Sequence, residues 1–100
     1  MTYALLVGGT TEAVDVRLLE WHTTPGDTLS PGDLIVELET HKVIVEVRAG
    51  QRGILRRILC NEGEWRRLGD PLAILSDDAE GAIPASAEGL AEWDARFELA

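Results

Sequence analysis

Apolar and polar residues alternate with a period of two through most of the first 75 positions, the signature of half-buried strands. The clearest case is a matched pair. Leu34, Val36 and Leu38 alternate with Ile35, Glu37 and Glu39, and after a short polar break Val43, Val45 and Val47 alternate with Ile44, Glu46 and Arg48. The break, Thr40-His41-Lys42, has the length of a hairpin turn. Further strands are predicted over residues 3–7, 14–22, 53–60 and 72–75, with a very short one at Thr28-Leu29. Within 14–22 the apolar phase changes: Val14, Val16 and Leu18 give way to Leu19 and Trp21, which predicts a bulge or strong twist near Leu18-Leu19. In 53–60 the apolar positions are Ile54, Leu55, Ile58 and Leu59, so Arg56 and Arg57 are expected to face water.

Between the strands the turn chemistry repeats. Thr24-Pro25-Gly26-Asp27 and Ser30-Pro31-Gly32-Asp33 place glycine where positive φ is wanted and proline where φ is preset. Gly63-Glu64 and Gly69-Asp70 recur with the same spacing, both 37 residues further along. Two similar halves of short strands predict an all-β fold: a flattened barrel or sandwich with quasi-twofold symmetry, a closure that removes aggregation-prone edges. One hundred residues suffice for one small domain.

After Leu75 the composition changes. Residues 77–100 hold seven acids against Arg96 alone and begin with an Ala/Asp/Glu/Ser-rich stretch that reads as a linker. Leu90, Trp93 and Phe97 follow helical spacing, consistent with an amphipathic helix too short to be stable alone. The expected division is therefore a domain over 1–76 and an acidic tail over 77–100. The net charge of −9 argues against nucleic acid or an anionic membrane as partner. No stretch has the length of a membrane span, and the apolar run Tyr3–Val7 is too short, and lacks the basic leader, for a signal peptide. Cys60 is the sole cysteine, so no intrachain disulfide forms, which fits a reducing, cytoplasmic setting.

One residue stands apart chemically. Lys42 is the only lysine; the other eight basic residues are arginines. Arginine stays charged and is a poor nucleophile, whereas a lysine amine can be acylated. A lone hairpin lysine is usually just a solvated turn residue, but a unique one at the centre of a matched strand pair is a candidate attachment point. Catalysis within the chain itself is not expected. No Ser/His/Asp arrangement or cysteine–histidine pairing is evident, and His22 and His41 with scattered carboxylates make a weak case for a metal. Gly8-Gly9 is not followed by the Gly-Lys-Ser/Thr of a phosphate loop.

These residues also carry a family resemblance. Glu39-Thr40-His41-Lys42-Val43 resembles the Glu-Thr-Asp-Lys-Ala motif of lipoyl domains from 2-oxo acid dehydrogenase complexes, and residues 26–34 resemble the Gly-Asp-x-Val-x-x-Gly-Asp-x-Leu run that precedes it. Gly53 and Glu62-Gly63-Glu64 fit their places in the second half. The resemblance implies two four-stranded sheets, with lipoic acid amide-linked to Lys42 and Glu39, Thr40, His41 and Val43 as its recognition context. It implies an acyl carrier rather than an enzyme, either free-standing or part of a dihydrolipoamide acyltransferase. Implied partners are a lipoate ligase or lipoyl transferase, a thiamine-dependent 2-oxo acid (or acetoin) dehydrogenase, an acyltransferase core and dihydrolipoyl dehydrogenase. His41 departs from the usual Asp, and Arg66 from a usual apolar residue. Alternatives within the same fold are a biotin carboxyl carrier, disfavoured because no methionines flank Lys42, a glycine-cleavage carrier, and an unmodified interaction domain.

Overall fold

The computed structural model describes residues 1–8 and 15–100. Among them are ten strands: β1 (Thr2–Leu6), β2 (Asp15–Trp21), β3 (Thr28–Leu29), β4 (Leu34–Glu39), β5 (Ile44–Ala49), β6 (Gly53–Ile58), β7 (Trp65–Arg67), β8 (Pro71–Ser76), β9 (Ala91–Glu92) and β10 (Ala95–Leu99). They form two sheets, ordered β3-β6-β8-β1-β9 and β10-β5-β4-β2-β7. The all-β, two-layer flattened barrel expected from the alternation is what the chain adopts. Each sheet holds five strands rather than four, and in each the fifth comes from the tail. The predicted loop at Gly9-Thr10-Thr11 and the strand position Val14 lie outside the described residues.

Alternation decides which side chains meet between the layers. Leu5, Leu55 and Leu75 of the first sheet face Leu18, Leu38 and Val47 of the second, each essentially inaccessible to solvent. The register of β2 against β4 shifts between Leu18 and Glu20, at the bulge read from the phase change.

Four turns share one construction, which explains the repeat. In 24–27, 30–33, 61–64 and 67–70 the acid at the fourth position donates its backbone N–H to the carbonyl of the first, at 2.9–3.1 Å. Its carboxylate in turn accepts the first residue's N–H at 2.6–2.9 Å. Glycine holds the third position with φ between 88° and 101°, a conformation closed to most side chains. The Gly-acid pairs are therefore the closing halves of four self-capped turns.

The tail departs from expectation. Where the spacing of Leu90, Trp93 and Phe97 allows a helix, the chain forms β9 and β10. β9 lies parallel to β1, with Tyr3 beside Ala91 and Ala4 beside Glu92. β10 then runs antiparallel to β5, from Ala95 opposite Ala49 to Leu99 opposite Val45. Between them Trp93 is only 1% exposed and belongs to the core. Its indole lies over Gly53, where a Cβ would come within 2.9 Å of Nε1. The tail is also clasped from outside. Arg56 donates to the carbonyls of Asp78, Glu80 and Gly81, and Arg57 to that of Pro84. These arginines hold the returning chain instead of simply facing water.

Candidate attachment site

β4 and β5 meet at the turn Thr40–Val43. Thr40 N–H donates to the Val43 carbonyl at 2.9 Å. The Thr40 hydroxyl oxygen accepts the backbone N–H groups of Lys42 and Val43, both at 3.1 Å. The hydroxyl thus does the work that a backbone carbonyl does in an ordinary turn, and two-residue tips of this kind usually need positive φ. Neither His41 nor Lys42 has it. Thr40 gives the tip its shape from a threonine side chain, so the chain here needs no glycine.

His41 and Lys42 are both exposed. Among the described residues the Lys42 ammonium forms no ion pair or hydrogen bond. The Glu39 carboxylate is engaged by Arg17, with Nη1 to Oε1 at 2.8 Å. An open concavity of about 470 Å³ surrounds the tip, lined by Glu39–Ile44 and Ala100. The structure therefore brings Glu39, Thr40, His41, Lys42 and Val43 together at one end of the barrel. Thr40 has a definite structural role there, and among the described residues His41 makes no hydrogen bond or ion pair that orders the turn. Sequence reasoning missed Ala100, whose N–H donates to the Ile44 carbonyl at 2.9 Å.

A covalently attached group fits these residues. Its anchor would be an exposed amine at a hairpin tip, beside an open concavity and without a side-chain partner among the described residues.

Away from the tip, the register aligns four glutamates across the outer face of the second sheet: Glu20, Glu37, Glu46 and Glu98, each opposite the next. Like charges directly opposite repel. Arg48 relieves two of them, at 3.0 Å from Glu46 and 3.4 Å from Glu98. His22 sits 2.6 Å from Glu37. Glu20, His22 and Glu37 bring their ligand-type atoms within 4.8 Å of one another, although His41 is not part of that group. Cys60 is fully buried, and burial pushes its thiol pKa up despite the opposing pull of Arg66.

A two-layer barrel that presents one amine at a hairpin tip is the architecture of a carrier-type attachment domain. Residues 7–75 match the Biotin_lipoyl family model, described as "Biotin-requiring enzyme", and the chain belongs to this biotin/lipoyl attachment family. It is 35% identical over 72 residues to the dihydrolipoyllysine-residue succinyltransferase component of the 2-oxoglutarate dehydrogenase complex of Bacillus subtilis, a match covering 71% of this chain and 17% of that protein. With the same component from Haemophilus influenzae it is 34% identical over 90 residues, covering 89% of this chain and 20% of that protein. The solution structure of the lipoyl domain of the 2-oxoglutarate dehydrogenase complex from Azotobacter vinelandii superposes with a TM-score of 0.60 at 32% identity, spanning 79% of this chain and all of that one. The chain thus spans about a fifth or less of the length of these curated relatives.

Proposed function

We propose that Lys42 carries lipoic acid and that the domain moves acyl groups between the active sites of a 2-oxo acid dehydrogenase complex. The observation that supports this best is the hairpin itself: the chain's one lysine, unpaired among the described residues, is set at the tip by the Thr40 hydroxyl in a domain of the attachment family. When bound, the lipoyl group supplies a dithiolane that accepts and releases acyl groups as thioesters. The chain's own residues do the rest. Thr40 fixes the turn, the paired strands β4 and β5 carry it, and Arg17 engages the Glu39 carboxylate at its base. A rigid support beneath a flexible tether raises the arm's effective concentration at each enzyme. The implied partners are a lipoate-attaching enzyme, a thiamine-dependent dehydrogenase, an acyltransferase core and dihydrolipoyl dehydrogenase, in a cytoplasmic setting. The biotin alternative remains less well supported, because His41 and Val43 flank the lysine where biotin sites have methionines.

Counting accessible thiols separates the two arms. The Cys60 thiol is buried and held protonated, so it reacts with an aromatic disulfide reagent only when the chain unfolds. Native, reduced, lipoylated protein should therefore show about two reactive thiols, from the arm alone. Biotinylated or bare protein should show none. An intact mass of protein from its native cell, read beside this count, decides between them; a biotinyl mass with no reactive thiol would remove the lipoyl assignment.

His41 bears on which dehydrogenase is served. Restoring the aspartate of the family motif with His41→Asp should leave the melting temperature unchanged, since the side chain is exposed and orders nothing. It should raise the rate of reductive acylation severalfold with dehydrogenases whose own carriers bear the aspartate. Equal rates for both proteins with every dehydrogenase tested would mean that position 41 is not read.

A further inference from the structure

The bulge in β2 decides what stands on the outer face of the second sheet. Val16 and Leu18 are buried, and strict alternation would bury Glu20 with them. Instead Leu19 is passed over in the pairing, and Glu20 comes out directly opposite Glu37 of β4. His22, two residues on, shares that face, and its backbone N–H is tied to the Ile35 carbonyl at 2.9 Å. Two paired strands thus bring two carboxylates and one imidazole together, their ligand atoms all within 4.8 Å of one another. His22 Nε2 lies 2.6 Å from Glu37 Oε1, and the two side chains are only 30% and 20% exposed, so neither swings freely.

Charge sets this corner apart from the rest of the face. Glu39 has Arg17, and Glu46 and Glu98 share Arg48. Glu20 forms no ion pair among the described residues, and the one that Glu37 forms is with His22. An imidazole is a cation only when protonated; neutral, it leaves two opposed carboxylates unrelieved. A dication relieves them, and a neutral imidazole is itself a metal ligand. We propose that Glu20, His22 and Glu37 form a site for a divalent transition-metal ion, with Zn2+ as the best match. His22 supplies the nitrogen donor that a merely acidic patch lacks. That donor favours Zn2+ over Ca2+ and Mg2+, which take oxygen ligands, and Zn2+ has no geometric preference of its own from d-electrons. Ligand atoms roughly 2 Å from one ion lie about 3.3 Å apart, so the ion opens the His22–Glu37 contact slightly and draws Glu20 in. Three protein ligands leave a fourth position for water. The bound ion fastens β2 to β4, the strand that leads into the Thr40–Val43 turn. The site is independent of what Lys42 carries.

The test titrates the untagged whole chain with ZnCl2 in a buffer that does not bind metal, by calorimetry and by thermal unfolding. The expected result is one ion per chain with micromolar affinity. Glu20→Gln and Glu37→Gln should each weaken binding about tenfold, and His22→Asn by more. Glu46→Gln, next in the row of glutamates, and His41→Ala, which removes the other histidine, should bind within about twofold of the unaltered chain. At roughly a hundredfold excess over Kd, Zn2+ should raise the melting temperature of the unaltered chain by about 10 °C and leave that of His22→Asn in place. Melting without metal establishes that each variant is folded. Glu20→Gln, at an exposed position, carries the test should His22→Asn fail to fold. Absence of binding at millimolar Zn2+ overturns the site, as does equal binding by the unaltered chain and Glu20→Gln. Binding lost with His41→Ala alone places the ion at the hairpin and overturns it too.

Discussion

Lys42→Arg should yield a folded protein that gains no mass from lipoate ligase, or from biotin ligase. Arginine retains the positive charge and much of the reach of lysine, so the tip keeps its electrostatics. Its guanidinium stays protonated at any usable pH and does not attack an activated carboxyl. The fold should not register the change. The residue is exposed, and what anchors it, its backbone N–H to Thr40 Oγ1 at 3.1 Å, is independent of the side chain. An exposed substitution of this kind costs about 0.5 kcal/mol or less, so a melting curve should hardly move. Because no other lysine exists in the chain, the expected loss is complete. A lipoyl mass that survives the substitution would place the group elsewhere and sink the carrier assignment.

Trp93→Ala should be the most damaging single change to stability. The side chain is 1% exposed within the common core, although it comes from a segment that composition marks as a linker. Truncating a buried tryptophan costs about 3–5 kcal/mol, against a total of roughly 5–15 kcal/mol for a domain. For a chain of this size that lowers the melting temperature by more than about 10 °C. Trp93→Phe should cost less, about 1–2 kcal/mol. Most of the aromatic volume stays, and the indole N–H, which is buried without an acceptor among the described residues, is removed. Thermal unfolding of both variants checks the prediction; a Trp93→Ala protein melting with the unaltered chain would show that the tail does not pack where the structure puts it.

The hairpin was legible because three signals coincide there: alternation on both sides, a break of turn length and a lysine without a second copy. The four turns were legible because positive φ and carboxylate self-capping leave a Gly-acid signature wherever they occur. The tail was misread for a physical reason. Trp93 sits at a crossing between strands of two and five residues, and a crossing has no period of its own. With Leu90 and Phe97 it imitates a helical stripe. The better signal was Ala95-Arg96-Phe97-Glu98-Leu99, a plain two-residue alternation that matches β10. The strand Trp65–Arg67 was missed as well, because two exposed residues around one half-buried arginine carry too little contrast to show a buried face. Arg56 and Arg57 look like solvated charges in the sequence, since nothing local says that carbonyls 22–27 residues onward will return to them.

The tail strand has a consequence for how the molecule behaves in a crowd. β5 reads Ile-Val-Glu-Val-Arg-Ala and without β10 would be an open border of six residues. Such a border, rich in β-branched residues, invites a second copy to add on through its backbone. β10 occupies it, and the other edge strands among the described residues are only two or three residues long. β10's own rim has Arg96 and Glu98 on its outer face, flanking the open backbone groups of Phe97 with opposite charges. For the shuttle proposed above, which would touch several enzymes in succession and let go of each, a covered border that keeps it from zipping onto its own kind is an advantage.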